Sequence, residues 1–228
     1  MCAMLRVASI AVYFTLLLSF SPAQEKPAEQ RFLSGEIIVK FSAKSRGAGL
    51  SARALAEGNP SDAELSSYIQ SVSSEVGVPL EVKRFGSGGN VIVGVLQPEL
   101  VASLLKRLQD NSSVENAHVV SQQSGSVPAI EVTFKQNAPE VEAWARAAGT
   151  GAEWSAEVKS ITEKLEQYCG VALIARVGSP RQLLLTPDLQ RLTRDLATRL
   201  SKRPDVEYAQ PNFIRHPTSS TGEFQPPK

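Results

Sequence analysis

Histidine and cysteine are nearly absent from this chain: His118, His216, Cys2 and Cys169 are the complete set among 228 residues. A zinc site of the usual kind draws about four Cys, His or carboxylate ligands at close spacing, so no metal is expected. The same scarcity leaves no Ser/His/Asp set to assemble, and no G-x-S-x-G elbow is present. The chain is therefore expected not to be an enzyme and to need no cofactor. An excess of charge of one sign is missing too. A net charge of +1 gives no reason to expect nucleic acid or an anionic membrane as partner. The basic stretch "RLTRDLATRLSKR" lacks the interleaved aromatics on which bases stack, so it reads as a solvated helix face. "GSGGN" joins two strands rather than a strand to a helix, as phosphate-binding loops require, so it reads as a hairpin turn.

The chain does contain an ordinary globular composition, 42% hydrophobic and 21% charged, over a length that suits one large domain or two small ones. Residues 1–23 stand apart. Arg6 supplies a positive start, Val7 to Phe20 is an almost unbroken apolar run, and Ser21-Pro22-Ala23 offers small residues for cleavage. The run is shorter than the roughly 18 residues of a spanning helix, so it is expected to be a signal peptide that is removed. The mature protein would be secreted or periplasmic, without membrane association after cleavage. It would keep Cys169 alone, so its core must hold it together without an internal disulfide. Cys169 itself reads as a small buried hydrophobe near a helix end.

One unit is written twice. Ile37, Val39 and Phe41 alternate with Ile38 and Lys40, and Ile130, Val132 and Phe134 alternate with Glu131 and Thr133. "GVPLEV" from Gly77 is echoed by "GVALIA" from Gly170, and both pairs of markers are 93 residues apart. "VENAH" from Val114 resembles "VEYAQ" from Val206. Two independent markers with one period identify a duplication of about 90 residues.

Each copy reads as β-α-β-β-α-β. In the first, the strand is followed by a loose stretch, "SAKSRGAGLSARALAEGNP", expected to be a surface loop. Ser61 and Glu64 form a capping box for a helix carrying Leu65, Ile69, Val72 and Val76, and Gly77 ends it. Strands follow near Leu80–Phe85 and Val91–Leu96. Pro98 and Glu99 then open a helix carrying Leu100, Leu104 and Leu108, and a last strand spans Val114 to Val120. The second copy repeats the order: Trp154, Val158, Ile161 and Leu165; a hairpin turning at Gly178-Ser179-Pro180; Thr186-Pro187-Asp188 before Leu189, Leu192, Leu196 and Leu200. The fold class expected is α+β, two tandem ferredoxin-like antiparallel-sheet domains. Their bounds would be 35–120 and 128–217, with linkers at 24–34 and 121–127 and a tail at 218–228.

The strands carry apolar residues on both faces: Leu183 and Leu185 against Leu184, Leu173 against Ile174. With helices on one face only, an apolar open face calls for a partner.

The ending "RPDVEYAQPNFIRHP" resembles the closing segment of propeptides from secreted subtilisin-like serine proteases, where a D-V-x-Y-A/V strand leads through a polar turn into the protease cleft. The I-x-V-x-F strand, hairpin and proline-started helix of the second copy fit the same pattern, and the first copy fits in architecture. The resemblance implies that the open sheet face packs on two surface helices of the protease. Gln210 and Asn212 would cap those helices, and Phe213, Ile214, Arg215, His216, Pro217 and Thr218 would lie along the cleft. Tyr208 and Pro211 complete the implied protease-binding set. Gln210 is neutral where the family often carries an acid, which removes a helix-dipole contribution of about 0.3–1 kcal/mol. Pro211 is expected to end the strand ladder, leaving the tail backbone unpaired within its own domain.

The function implied is a free-standing inhibitor, or a folding chaperone in trans, of a subtilisin-like serine protease. Two alternatives stand beside it: the remnant N-terminal prodomain of a subtilase, and a ferredoxin-like interaction module unrelated to proteases. The sequence leaves the target protease and the oligomeric state open.

Overall fold

Ile37, Val39 and Phe41 turn one face of the first strand into the core, at 5% exposure or less, while Ile38 and Lys40 point the other way. That period of two suits an antiparallel strand covered on one face. The chain is seen in a computed structural model that describes residues 31–120, 127–142, 154–179 and 181–214. The expected signal peptide, most of the 121–127 linker, Pro180, and Arg215, His216, Pro217 and Thr218 lie outside the described residues.

The first copy contributes β1 (Phe32–Phe41), α1 (Arg46–Ala56), α2 (Ala63–Val76), β2 (Leu80–Phe85), β3 (Val91–Val95), α3 (Gln97–Gln109) and β4 (Val114–Val120). The second contributes β5 (Ala129–Phe134), α4 (Trp154–Cys169), β6 (Leu173–Ser179), β7 (Gln182–Pro187), α5 (Leu189–Ser201) and β8 (Val206–Phe213). The class is α+β, with two four-stranded antiparallel sheets.

Local chemistry accounts for most element ends. Gly77 closes α2 at φ 72°, a left-handed position where glycine avoids the Cβ penalty. Asp188 caps α5 by accepting the Arg191 N–H at 3.0 Å. Two readings need correction. The cap of α2 is Asp62, which accepts the Leu65 N–H at 2.8 Å, rather than Ser61. The stretch after β1 is not a loop: residues 46–56 are helical, capped by Ser45. Its buried side is Gly47, Leu50, Ser51 and Ala54, a helical spacing in which leucine is the one large residue. A Cβ on Gly47 would lie 2.7 Å from the Phe41 ring and 2.8 Å from that of Tyr68, so glycine permits this close approach.

The sheets are closed crosswise. Their orders are β2-β3-β1-β8 and β4-β5-β7-β6. In the tandem reading each copy would close its own sheet, whereas β8 pairs with β1 and β4 pairs with β5. The preceding helices travel with their strands: α5 packs on β1 and β8, and α3 on β4 and β5. The bounds 35–120 and 128–217 mark the two copies of the sequence, and both sheets are built across them.

Equivalent contacts recur in both closures. Arg107 of α3 donates to the Cys169 carbonyl at the end of α4. Its counterpart Arg199 of α5 donates to the Val76 carbonyl at the end of α2, at 3.1 Å. Gln109 bonds the Ala117 carbonyl and Ser201 the Ala209 carbonyl, each at 3.0 Å. Both arginines supply donors to the orphan carbonyls at a helix C-terminus, where a cation also complements the helix dipole. The described elements share one continuous core, running from Ile37, Leu65 and Leu104 to Phe134, Leu183 and Leu196.

Candidate docking edge at β8

The turn Arg203-Pro204-Asp205 aims β8 at the first sheet. Arg203 grips the Asp205 carboxylate with two bonds of 3.0 Å, from Nε and Nη2. On the facing helix α2, the Tyr68 hydroxyl donates to Asp205 and Glu75 pairs with Arg203. Burial pushes the Tyr68 hydroxyl up to about 12, with its bond to Asp205 adding to the rise. Burial alone would raise the Asp205 carboxyl, but the hydrogen bonds from Arg203 and Tyr68 outweigh it and hold the group below the usual aspartate range.

The signs of these shifts fix a pH dependence. A depressed carboxyl contributes stability above its ordinary pKa and loses it as pH falls through the folded value. A raised tyrosine contributes stability below its ordinary value of 10.0 and loses it as pH rises through about 12. Urea unfolding should therefore show stability falling at both extremes. Tyr68→Phe should abolish its alkaline part and Asp205→Asn reduce its acid part. Unchanged alkaline behaviour in Tyr68→Phe would sink the assignment.

Beyond the turn, β8 runs antiparallel to β1, with Tyr208 opposite Lys40, Ala209 opposite Val39, Gln210 opposite Ile38, Pro211 opposite Ile37 and Phe213 opposite Phe32. The ladder thus continues through Pro211, contrary to expectation. Ser201 Oγ bonds both the N–H and the carbonyl of Ala209, at 3.1 and 3.0 Å, so that residue's backbone faces outward from the sheet. Pro211, two residues on, presents its nitrogen to the same outer side, where a missing N–H removes no ladder bond.

Of the expected binding residues, the described ones, Tyr208 and Gln210 to Ile214, follow one another along this edge strand and its end, and most already have partners. Tyr208 donates to Asn90 Oδ1 at 2.8 Å. The Asn212 amide donates to Glu36 Oε2 at 2.7 Å, and Arg84 holds the same carboxylate at 3.0 Å. The Phe213 ring meets Phe32 edge-on at 6.1 Å, and the Ile214 N–H reaches the Arg31 carbonyl at 2.9 Å. The backbone of residues 211–214 is therefore not left unpaired. Gln210 is exposed and Ile214 is 43% exposed.

The sheet face bearing Tyr208, Gln210 and Asn212 carries no helix among the described residues, and it is more polar than expected. Glu36, Lys40, Lys83, Arg84 and Gln210 surround half-buried Ile38 and buried Ile92. Gly94 makes room for Lys83, whose Cε would lie 2.5 Å from a Cβ there, so the aliphatic stem crosses the strand. On the second sheet Ile174 is 48% and Val119 43% exposed. Beside the start of β8, Ala48, Ala52 and Leu55 of α1 form with Gly88, Lys40 and Glu207 a hollow of about 430 Å³. Sequence reasoning missed it because it missed α1.

Among the described residues no group of three or more His, Cys, Asp or Glu could hold a metal ion. Cys169 is fully buried at the end of α4, and burial pushes its thiol up to about 11, against a smaller opposing pull from Arg107. Such a thiol is protonated at neutral pH and a poor nucleophile. No helix among the described residues is long and apolar enough to cross a membrane. No family model, curated protein or solved structure matches this chain.

Proposed function

We propose that the mature chain is a secreted or periplasmic propeptide-like inhibitor, or folding chaperone in trans, of a subtilisin-like serine protease. Its helix-free sheet face and the edge strand β8 would meet the protease, and the residues after Ile214 would enter the substrate cleft. The observation that carries this reading is the position of β8: an edge strand, beside β1, from which the chain continues past Ile214. The order β2-β3-β1 with a closing strand outside β1 is the one a ferredoxin-like unit builds, which supports two such units closed crosswise. Main-chain pairing of an extended segment would supply affinity, and pockets for alternate side chains specificity.

Titration of residues 24–228 against subtilisin-like and trypsin-like proteases tests this. Stoichiometric inhibition should appear with at least one subtilisin-like enzyme and with no trypsin-like one. Absence of inhibition across the subtilisin-like panel would overturn it. A ferredoxin-like interaction module is the second reading, favoured by the packing of Asn212 on Glu36 and Phe213 on Phe32 within the protein's own sheet.

A further inference from the structure

The two copies differ where a closing turn meets its acceptor helix. On α2 that position holds Tyr68 and Glu75, which engage Asp205 and Arg203 of the second copy. The equivalent residues on α4, 93 positions later, are Ile161 and Tyr168. The equivalents of Arg203 and Asp205 in the α3–β4 turn, 92 positions earlier, are Asn111 and Ser113. Two other contacts recur in both closures: Arg107 and Arg199 make the same one, as do Gln109 and Ser201.

Suppose the second copy closed on itself. Asp205 would then face Ile161, which has no donor, and Arg203 would face Tyr168, which has no carboxylate. The Arg203 and Asp205 side chains are only 16% and 22% exposed in the observed closure, so water replaces lost partners poorly there. A first copy closed on itself would set Glu75 near Asn111 and Tyr68 near Ser113, with no cation for the glutamate. Only the crossed pairing sets a carboxylate opposite the Arg203 guanidinium and a hydroxyl donor opposite Asp205. A partly buried polar group left without its partner costs more than the bond itself contributes.

We propose that Tyr68 and Glu75 select the closing segment of the second copy, so that the crossed arrangement is specified by these side chains. They thereby determine from which sheet the chain beyond β8 emerges. The helix–strand segments α3–β4 and α5–β8 share the arginine and Gln109/Ser201 contacts but differ at this lock, which makes Tyr68 and Glu75 positioning residues for β8. The inference goes beyond the protease reading and does not rest on it.

Cross-linking after refolding tests it in residues 24–228 carrying Cys169→Ala. One variant adds Lys40→Cys and Tyr208→Cys, which are opposite each other in the crossed closure. The other adds Thr133→Cys and Tyr208→Cys, which would be opposite only if the second copy closed on itself. Each is unfolded in denaturant, refolded and treated with a short bis-maleimide. The first pair should link at least about tenfold more efficiently than the second. Tyr68→Phe, which keeps the ring against Phe41 and loses only the hydroxyl, should lower that ratio by about tenfold, equivalent to about 1.4 kcal/mol. Giving α2 the residues of α4, by Tyr68→Ile with Glu75→Tyr, should lower it further. Equal linking of both pairs in the parent overturns the proposal. So does an unchanged ratio in Tyr68→Phe, a variant whose folding can be checked by its circular dichroism.

Discussion

Ending the chain at Ile214 should leave the fold intact while weakening inhibition of a subtilisin-like protease by about a hundredfold or more. The last described contacts of β8 are the Phe213 ring on Phe32 and the Ile214 N–H on the Arg31 carbonyl. Residues 31–214 therefore hold the whole of both sheets. A cut after Asn212 would be less informative, because it removes both of those contacts along with the tail. Every described strand and helix is retained, so the unfolding midpoint in urea should stay within the shift expected of about 0.5 kcal/mol or less. Affinity follows different arithmetic, since each 1.4 kcal/mol of lost contact is about tenfold. Arg215, His216, Pro217 and Thr218 are the residues the proposed mechanism puts in the cleft. The measurement is an inhibition titration beside a urea curve for residues 24–214 and 24–228. Undiminished inhibition by the shorter chain would refute cleft binding by the tail, and a shifted urea midpoint would make the tail a structural element.

Much of this architecture is legible in the sequence because it is written in short-range periodicities. The alternation of Ile37, Val39 and Phe41, the Leu100, Leu104 and Leu108 stripe and the glycine at position 77 each depend on neighbours a few residues away. The helix α1 escaped because three of the four residues on its inner side, Gly47, Ser51 and Ala54, carry little apolar signal. Its packing depends on a close approach to Phe41 and Tyr68 that only the folded chain reveals. The ladder through Pro211 escaped for a related reason. A proline breaks a strand only where its nitrogen faces the partner, and which way it faces is a matter of register.

The crosswise closure was the hardest feature to read. Two copies with one hydrophobic pattern offer two acceptor sheets of the same shape, and a period of 93 residues is silent on which strand closes which. Among the contacts that distinguish them is the pairing of Tyr68 and Glu75 with Asp205 and Arg203, residues more than 100 positions apart in sequence. The same long separation hides the candidate edge as a surface: Tyr208 to Ile214 belong to one copy, whereas Glu36, Asn90 and Phe32, which hold them, belong to the other.

Ending the chain earlier, at Pro187, should open the sheet of the first copy rather than that of the second. The deletion removes α5 and β8, and with them Leu189, Leu192, Leu196, Leu200 and Val206, all buried at 9% exposure or less. Fully burying such side chains contributes about 1.5–3 kcal/mol each. Their combined loss is roughly 6–12 kcal/mol for the four leucines, comparable to the whole stability of a typical domain. In the crossed arrangement the surface uncovered is the core face of β1, because α5 packs on β1 and β8. The sheet β4-β5-β7-β6 keeps α3, α4 and all four of its strands. Amide exchange should therefore accelerate by several orders of magnitude at Ile37, Val39 and Val93, while Ile130, Val132 and Leu183 remain the slower set. Had each copy closed its own sheet, the same cut would expose β5 and spare β1, and the order of protection would be reversed. Slow exchange in β1 together with fast exchange in β5 is the result that would dismantle the crossed topology.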